Sequence, residues 1–307
     1  FLPHTADDVS QIDEQAFCAL AQTVNGASLR STKESQMTRL IQIVFAVMLL
    51  LPGAARADTD ALYDAMGLDR IVDVMRAEGL VSGALMATYF LTGVGGPDWD
   101  RAVDDIYDTD KMTATLKTAF GDAMGDTDTA PLIAFFNSEV GSEIVALEIS
   151  AREALLDDAV DEASRTQLEA ALADDDPRLT LIRSYIDAND LVESNVVGAL
   201  NSNYAFYSGL VDGGAFPFDM TEDQIIRDVW EQEQEIRAET EEWIQSYLLM
   251  AYQPLSDAQI ESYITLSKTP EGAALNRALF ESFNTMFTEI SRALGLAASI
   301  YMGGQEL

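Results

Sequence analysis

The chain of 307 residues carries 52 Asp and Glu against 18 Lys and Arg, a net charge of −34, with 48% hydrophobic residues, one His and one Cys. A surface this acidic repels nucleic-acid phosphates and anionic lipid headgroups, so neither nucleic acid nor an anionic membrane surface is expected as a partner. His4 and Cys18 both lie upstream of a leader-like segment. The exported part of the chain therefore has no imidazole for proton transfer, no thiol nucleophile, no His or Cys metal ligand and no disulfide, and no cofactor is expected.

Residues 1–36 are expected to be an upstream leader outside the native protein. From Met37 the pattern changes: Thr38 and Arg39 give a short basic start, and an apolar run from Leu40 to Leu51 is broken only by Gln42. Pro52-Gly53 and the small residues of Ala55-Arg56-Ala57 follow. This order is that of a signal peptide, cut before Asp58, and predicts a periplasmic protein. A membrane span needs about 20 apolar residues, so a signal anchor is the weaker alternative. Cleavage would remove five acids and four bases and leave the net charge almost unchanged.

Two copies of one unit are expected beyond the leader: repeat 1 over 58–157, a linker over 158–177 and repeat 2 over 178–307. "IAFFNSEVGSEIVALE" around Gly141 lies on "ITLSKTPEGAALNRAL" around Gly272, and the same offset pairs Trp99 with Trp230. Upstream, Tyr89 pairs with Tyr207 and Gly95-Gly96 with Gly213-Gly214. The offset changes along the chain, which predicts an insertion in the second copy, mainly Met220 to Val229.

All elements are predicted to be helical, giving an all-α fold of two tandem helical repeats around a shared or adjoining core, with no significant sheet. Gly79–Pro97 and Ser194–Val211 are uncharged and are expected to be central packing helices, in contact through Gly79 and Gly83, or an apolar groove. Asp174-Asp175-Asp176-Pro177 stops a helix between the copies. From Thr221 to Ala251 the apolar residues Ile225, Val229, Ile236, Trp243, Ile244, Tyr247, Leu248 and Ala251 recur at helical spacing. Thr221 with Gln224 and Ser256 with Gln259 read as capping boxes, and Leu255 with Ile260 as a hydrophobic staple. Thr269-Pro270-Glu271 opens a helix that buries Leu275, Leu279, Phe283, Met286, Phe287, Ile290 and Leu294.

Phe135-Phe136-Asn137-Ser138-Glu139-Val140-Gly141 and Leu266-Ser267-Lys268-Thr269-Pro270-Glu271-Gly272 resemble the aromatic-x-Ser-Pro-x-Gly signature of a bacterial periplasmic family catalogued as domain of unknown function 2059. The resemblance covers about thirty residues around each glycine and implies export and a helical class, with no activity. The first copy has Glu139 where the signature has proline, and the second lacks the aromatic pair. Physically, the residues to single out are Phe135, Ser138, Gly141, Leu266, Thr269 and Gly272: the hydroxyl caps a new helix and the glycine lets the preceding helix pass closely.

Asp122, Asp126 and Asp128 do not make a calcium loop, because the glycine and distal Glu of that loop are missing. Glu235 and Glu239 read as a solvated helix face. The expected function is therefore non-catalytic binding or assembly in the cell envelope, with an envelope protein or a small apolar ligand as partner. The alternatives are a carboxylate-based hydrolase of envelope polymers and a purely structural envelope protein.

Overall fold

The helix signals are realised as a purely α-helical array in a computed structural model that describes residues 56–89, 96–216 and 220–302. No strand occurs among these residues. Residues 1–36 and most of the signal segment lie outside them; only Arg56 and Ala57 of that segment are described, at the start of the first helix.

The first half comprises α1 (Arg56–Ala65), α2 (Leu68–Tyr89), α3 (Gly96–Ile106), α4 (Thr109–Met124), α5 (Ala130–Phe136) and α6 (Glu139–Ala154). Next comes α7 (Asp158–Ala173), and the second half comprises α8 (Pro177–Ala188), α9 (Leu191–Asp212), α10 (Glu222–Trp230), α11 (Glu233–Ala251), α12 (Asp257–Ser267) and α13 (Pro270–Met302). Helix α1 packs on α2, α4 and α5, and α2 packs on α3, α4 and α6. In the second half α8 packs on α9, α11 and α12, and α9 packs on α10, α11 and α13. The halves exchange contacts reciprocally, since α6 meets α11 while α13 meets α4.

The stops and starts follow from local chemistry. Asp176 accepts from the Arg178 amide with Pro177 at the first helical position of α8, where the missing N–H costs nothing. Both capping boxes form, at Thr221 with Gln224 and at Ser256 with Gln259. The turns before α2 and α9 pass through left-handed residues, Gly67 (φ 63°) and Asp190 (φ 48°). One continuous core then crosses both halves; Leu116 and Phe120 of α4, Ile144 of α6, Tyr247 of α11 and Phe283 of α13 all belong to it. Full burial of each such side chain contributes about 1.5–3 kcal/mol.

The structure refines the expectations at four places. Most of Met220–Val229, the stretch expected as an insertion, is α10, which packs on α9. Trp99 and Trp230 are not equivalent: Trp99 is fully buried with its Nε1–H donating to the Gly83 carbonyl at 2.8 Å, whereas Trp230 is 68% exposed. The periodic stretch from Thr221 to Ala251 is two helices, broken where the Gln232 side chain turns back to the Asp228 carbonyl and its amide bonds to Val229. The stretch between the halves holds α7, which packs on α11.

The uncharged helices also pack differently from expectation. Gly79 and Gly83 of α2 admit Tyr107 and Val103 rather than α9; a Cβ on Gly79 would lie 2.2 Å from the Tyr107 ring. The close crossing of α9 is with α13, where a Cβ on Gly295 would lie 2.1 Å from the Phe206 carbonyl oxygen and one on Gly209 2.3 Å from that of Arg292. Backbone cannot yield as a side-chain tip can, so Gly295→Ala is expected to cost at least about 1–3 kcal/mol. Gly121→Ala, inside α4 with open space around it, is expected to gain about 0.5–1 kcal/mol. Urea unfolding of the two variants checks both signs.

Candidate functional site

The two signature corners have the same construction. Ser138 Oγ accepts from the Gly141 amide at 3.1 Å and donates to the Phe135 carbonyl. Thr269 Oγ1 accepts from the Gly272 amide at 2.9 Å and donates to the Leu266 carbonyl. A Cβ on Gly141 or Gly272 would lie 2.1 Å from the carbonyl oxygen of Phe135 or Leu266 respectively. The glycines are thus required by the preceding helix, α5 in one corner and α12 in the other. Ser138→Ala is expected to cost about 1 kcal/mol, the ordinary value of a helix cap, and Gly141→Ala more, as read by thermal unfolding.

The structure ties the first corner to the second half through aromatic rings. Phe135 stacks on Tyr263 at 5.7 Å, Tyr263 meets Tyr185 at 4.9 Å, and Tyr185 meets the edge of Tyr252 at 5.6 Å. At the end of this ladder Tyr252 donates its hydroxyl proton to Oε1 of Glu148. Tyr247 donates to the Glu148 backbone carbonyl at 3.0 Å. Leu266 is a partly buried wall of the same core.

Among the described residues, Glu148 of α6 is chemically unusual. It is 2% exposed, and its Oε2 has no hydrogen-bond partner. Burial disfavours the charged form and pushes its pKa up to about 8, against the opposing pull of the Tyr252 hydroxyl. It is a neutral acid at neutral pH. Burial first, and then the neighbouring Glu148, hold the hydroxyls of Tyr185, Tyr247 and Tyr252 well above the usual range, so these remain neutral as well.

One turn further along α6, Arg152 is 1% exposed and forms two 2.9 Å hydrogen bonds to the carboxylate of Glu78 on α2. Burial alone would lower the guanidinium pKa; Glu78 outweighs it and raises it. A fork-to-fork geometry of this kind describes a charged pair. Glu78, Glu148 and Arg152 did not figure in the reading of the sequence.

Other candidates stay apart from this junction. Asp122, Asp126 and Asp128 are exposed, with Asp128 accepting from the Ala130 amide at the start of α5. Among the described residues no group of three or more Asp, Glu, His or Cys is placed to hold a metal, and no helix is long and apolar enough to cross a membrane. A surface groove of about 430 Å³ runs between α2 and α3, lined by Leu80, Gly83 and Ala84 on one side and Asp100, Arg101 and Asp104 on the other. Glu235 is exposed on α11, but Glu239 is partly buried with one carboxylate oxygen enclosed, so the pair is not one solvated face. A different kind of site is offered by Ile226 and Trp230 on α10, 50% and 68% exposed.

No family model matches the chain, and no similar protein is found among curated proteins or solved structures.

Proposed function

We propose that this is an exported, non-catalytic helical protein that acts by binding or assembly in the cell envelope. The observation that carries the reading is the pair Ile226 and Trp230, one helical turn apart and exposed on α10, in a strongly acidic chain. Tryptophan is among the residue types enriched where binding energy concentrates in an interface. Glu148, by contrast, is committed to the packed junction between the halves, where it holds Tyr252. Export rests on the leader; cleavage before Asp58 trims the first two residues of α1 and leaves an acid in its first turn, favourable to the helix dipole. We infer that the body is a duplicated six-helix unit, α1–α6 and α8–α13, supported by the matching order of partners and the two like-built corners.

A carboxylate-based hydrolase is the second reading, favoured by the raised acid at Glu148. It needs a second carboxylate across a scissile bond at about 5–10 Å, open to substrate. The other buried carboxylate described in the junction, Glu78, is bound to Arg152.

Native mass spectrometry of protein isolated from its own envelope fraction tests the proposal. The expected species begins at Asp58 and retains a partner protein or an apolar ligand. A bare chain under all gentle conditions would contradict it.

A further inference from the structure

Helix α3 packs on α2, and helix α10 packs on α9. Their inner faces match in register: Trp99 and Val103 are buried on α3, and Ile225 and Val229 on α10, each pair four residues apart. That register sets Asp100 opposite Ile226 and Asp104 opposite Trp230 on the solvent face. Where the first half shows water two aspartates, one of them paired with Arg76, the second shows an isoleucine and a tryptophan. Ile225 and Val229 supply the buried face of α10, while Ile226 and Trp230 leave half or more of their surface to solvent.

Glu222, Asp223 and Glu231 are exposed around this pair with one exposed base, Arg227, among them, while Asp228 has an enclosed carboxylate oxygen and Glu233 is paired with Arg237. Glu222 and Asp223 lie one turn before Ile226, and Glu231 follows Trp230 directly. An apolar pair framed by acids is complementary to a helix with an apolar stripe flanked by lysines or arginines. A second copy of the chain, at a net charge of −34, brings the same acids to the contact and is repelled, as is an anionic bilayer.

We propose that the Ile226–Trp230 face of α10 docks a cationic amphipathic helix of a partner protein; this rests on the binding reading above and specifies its partner. The test measures fluorescence anisotropy of a labelled leucine–lysine amphipathic peptide against the full chain at physiological salt. The variant carries Ile226→Asp and Trp230→Asp, which restores the α3 pattern and adds negative charge, so general attraction for the peptide rises rather than falls. Circular dichroism confirms its fold. An affinity loss of about tenfold or more, absent in Val81→Asp at another exposed apolar residue and absent for a serine–lysine peptide of equal charge, is the expected result. Equal affinity of the wild type and the double variant overturns the proposal. If both then retain the same partner in native mass spectrometry, the binding reading stands and only the surface is wrong; if neither retains one, the binding reading fails.

Discussion

Replacing Glu148 by Gln is expected to make the protein more stable than the wild type in mild alkali and less stable in mild acid, so that their pH–stability curves cross. In the unfolded chain this carboxyl ionises near 4.5, and in the folded protein near 8. Between those values the folded state holds one proton more than the unfolded state, so wild-type stability falls as pH rises through the window. The contribution is whole below the lower value and is lost above the upper one. A shift of this size corresponds to at most about 5 kcal/mol. Glutamine keeps an oxygen for the Tyr252 hydroxyl, cannot ionise, and leaves amide N–H groups unpaired at a cost of about 1–3 kcal/mol. The crossing then falls between about pH 5 and pH 7. Denaturant unfolding across pH measures it; parallel curves would mean that Glu148 is already ionised in the folded protein.

Arg152→Met is expected to be among the most damaging single changes. The methionine fills much of the space of the arginine stem but leaves the Glu78 carboxylate, 11% exposed, without its partner. Breaking a buried pair from one side costs about 3–5 kcal/mol. Because burial already pushes the Glu78 carboxyl up, and removing Arg152 takes away what opposes that, the carboxyl takes up a proton as pH falls and the loss is smaller in acid. Glu78→Gln in the same chain should recover much of the deficit, since a buried pair replaced on both sides is often nearly neutral. Urea unfolding of the two single variants and the double gives the coupling. Simple additivity would show that the two residues do not act as a pair.

The parts of the fold legible in the sequence are those written in local chemistry. Ser138, Thr269, the two capping boxes and Asp176-Pro177 each satisfy a helix terminus with their own atoms, and each does so in the structure. What failed depended on neighbours far along the chain. Trp99 and Trp230 are the same residue type at a constant offset, yet Trp99 is buried on α3 and Trp230 is exposed on α10, whose buried residues are Ile225 and Val229. Glycine spacing on α2 showed that something approaches closely but not that it would be Tyr107 and Val103.

The junction acid was legible in part. Gly141, Ile144, Val145, Glu148, Ile149 and Arg152 recur at alternating steps of three and one, and all are buried on α6. An acid and an arginine on an apolar stripe signal a buried polar network. Their partners could not be read, because Glu78 and Tyr252 lie 74 and 104 residues away.

The most direct test of the functional account compares wild-type protein and Glu148→Gln, purified to constant specific behaviour, for turnover of peptidoglycan, peptide and ester substrates against a heat-treated control. Neither protein is expected to exceed the control. Turnover by the wild type that survives purification and disappears in Glu148→Gln would contradict it, and would make Glu148 the acid of a hydrolase.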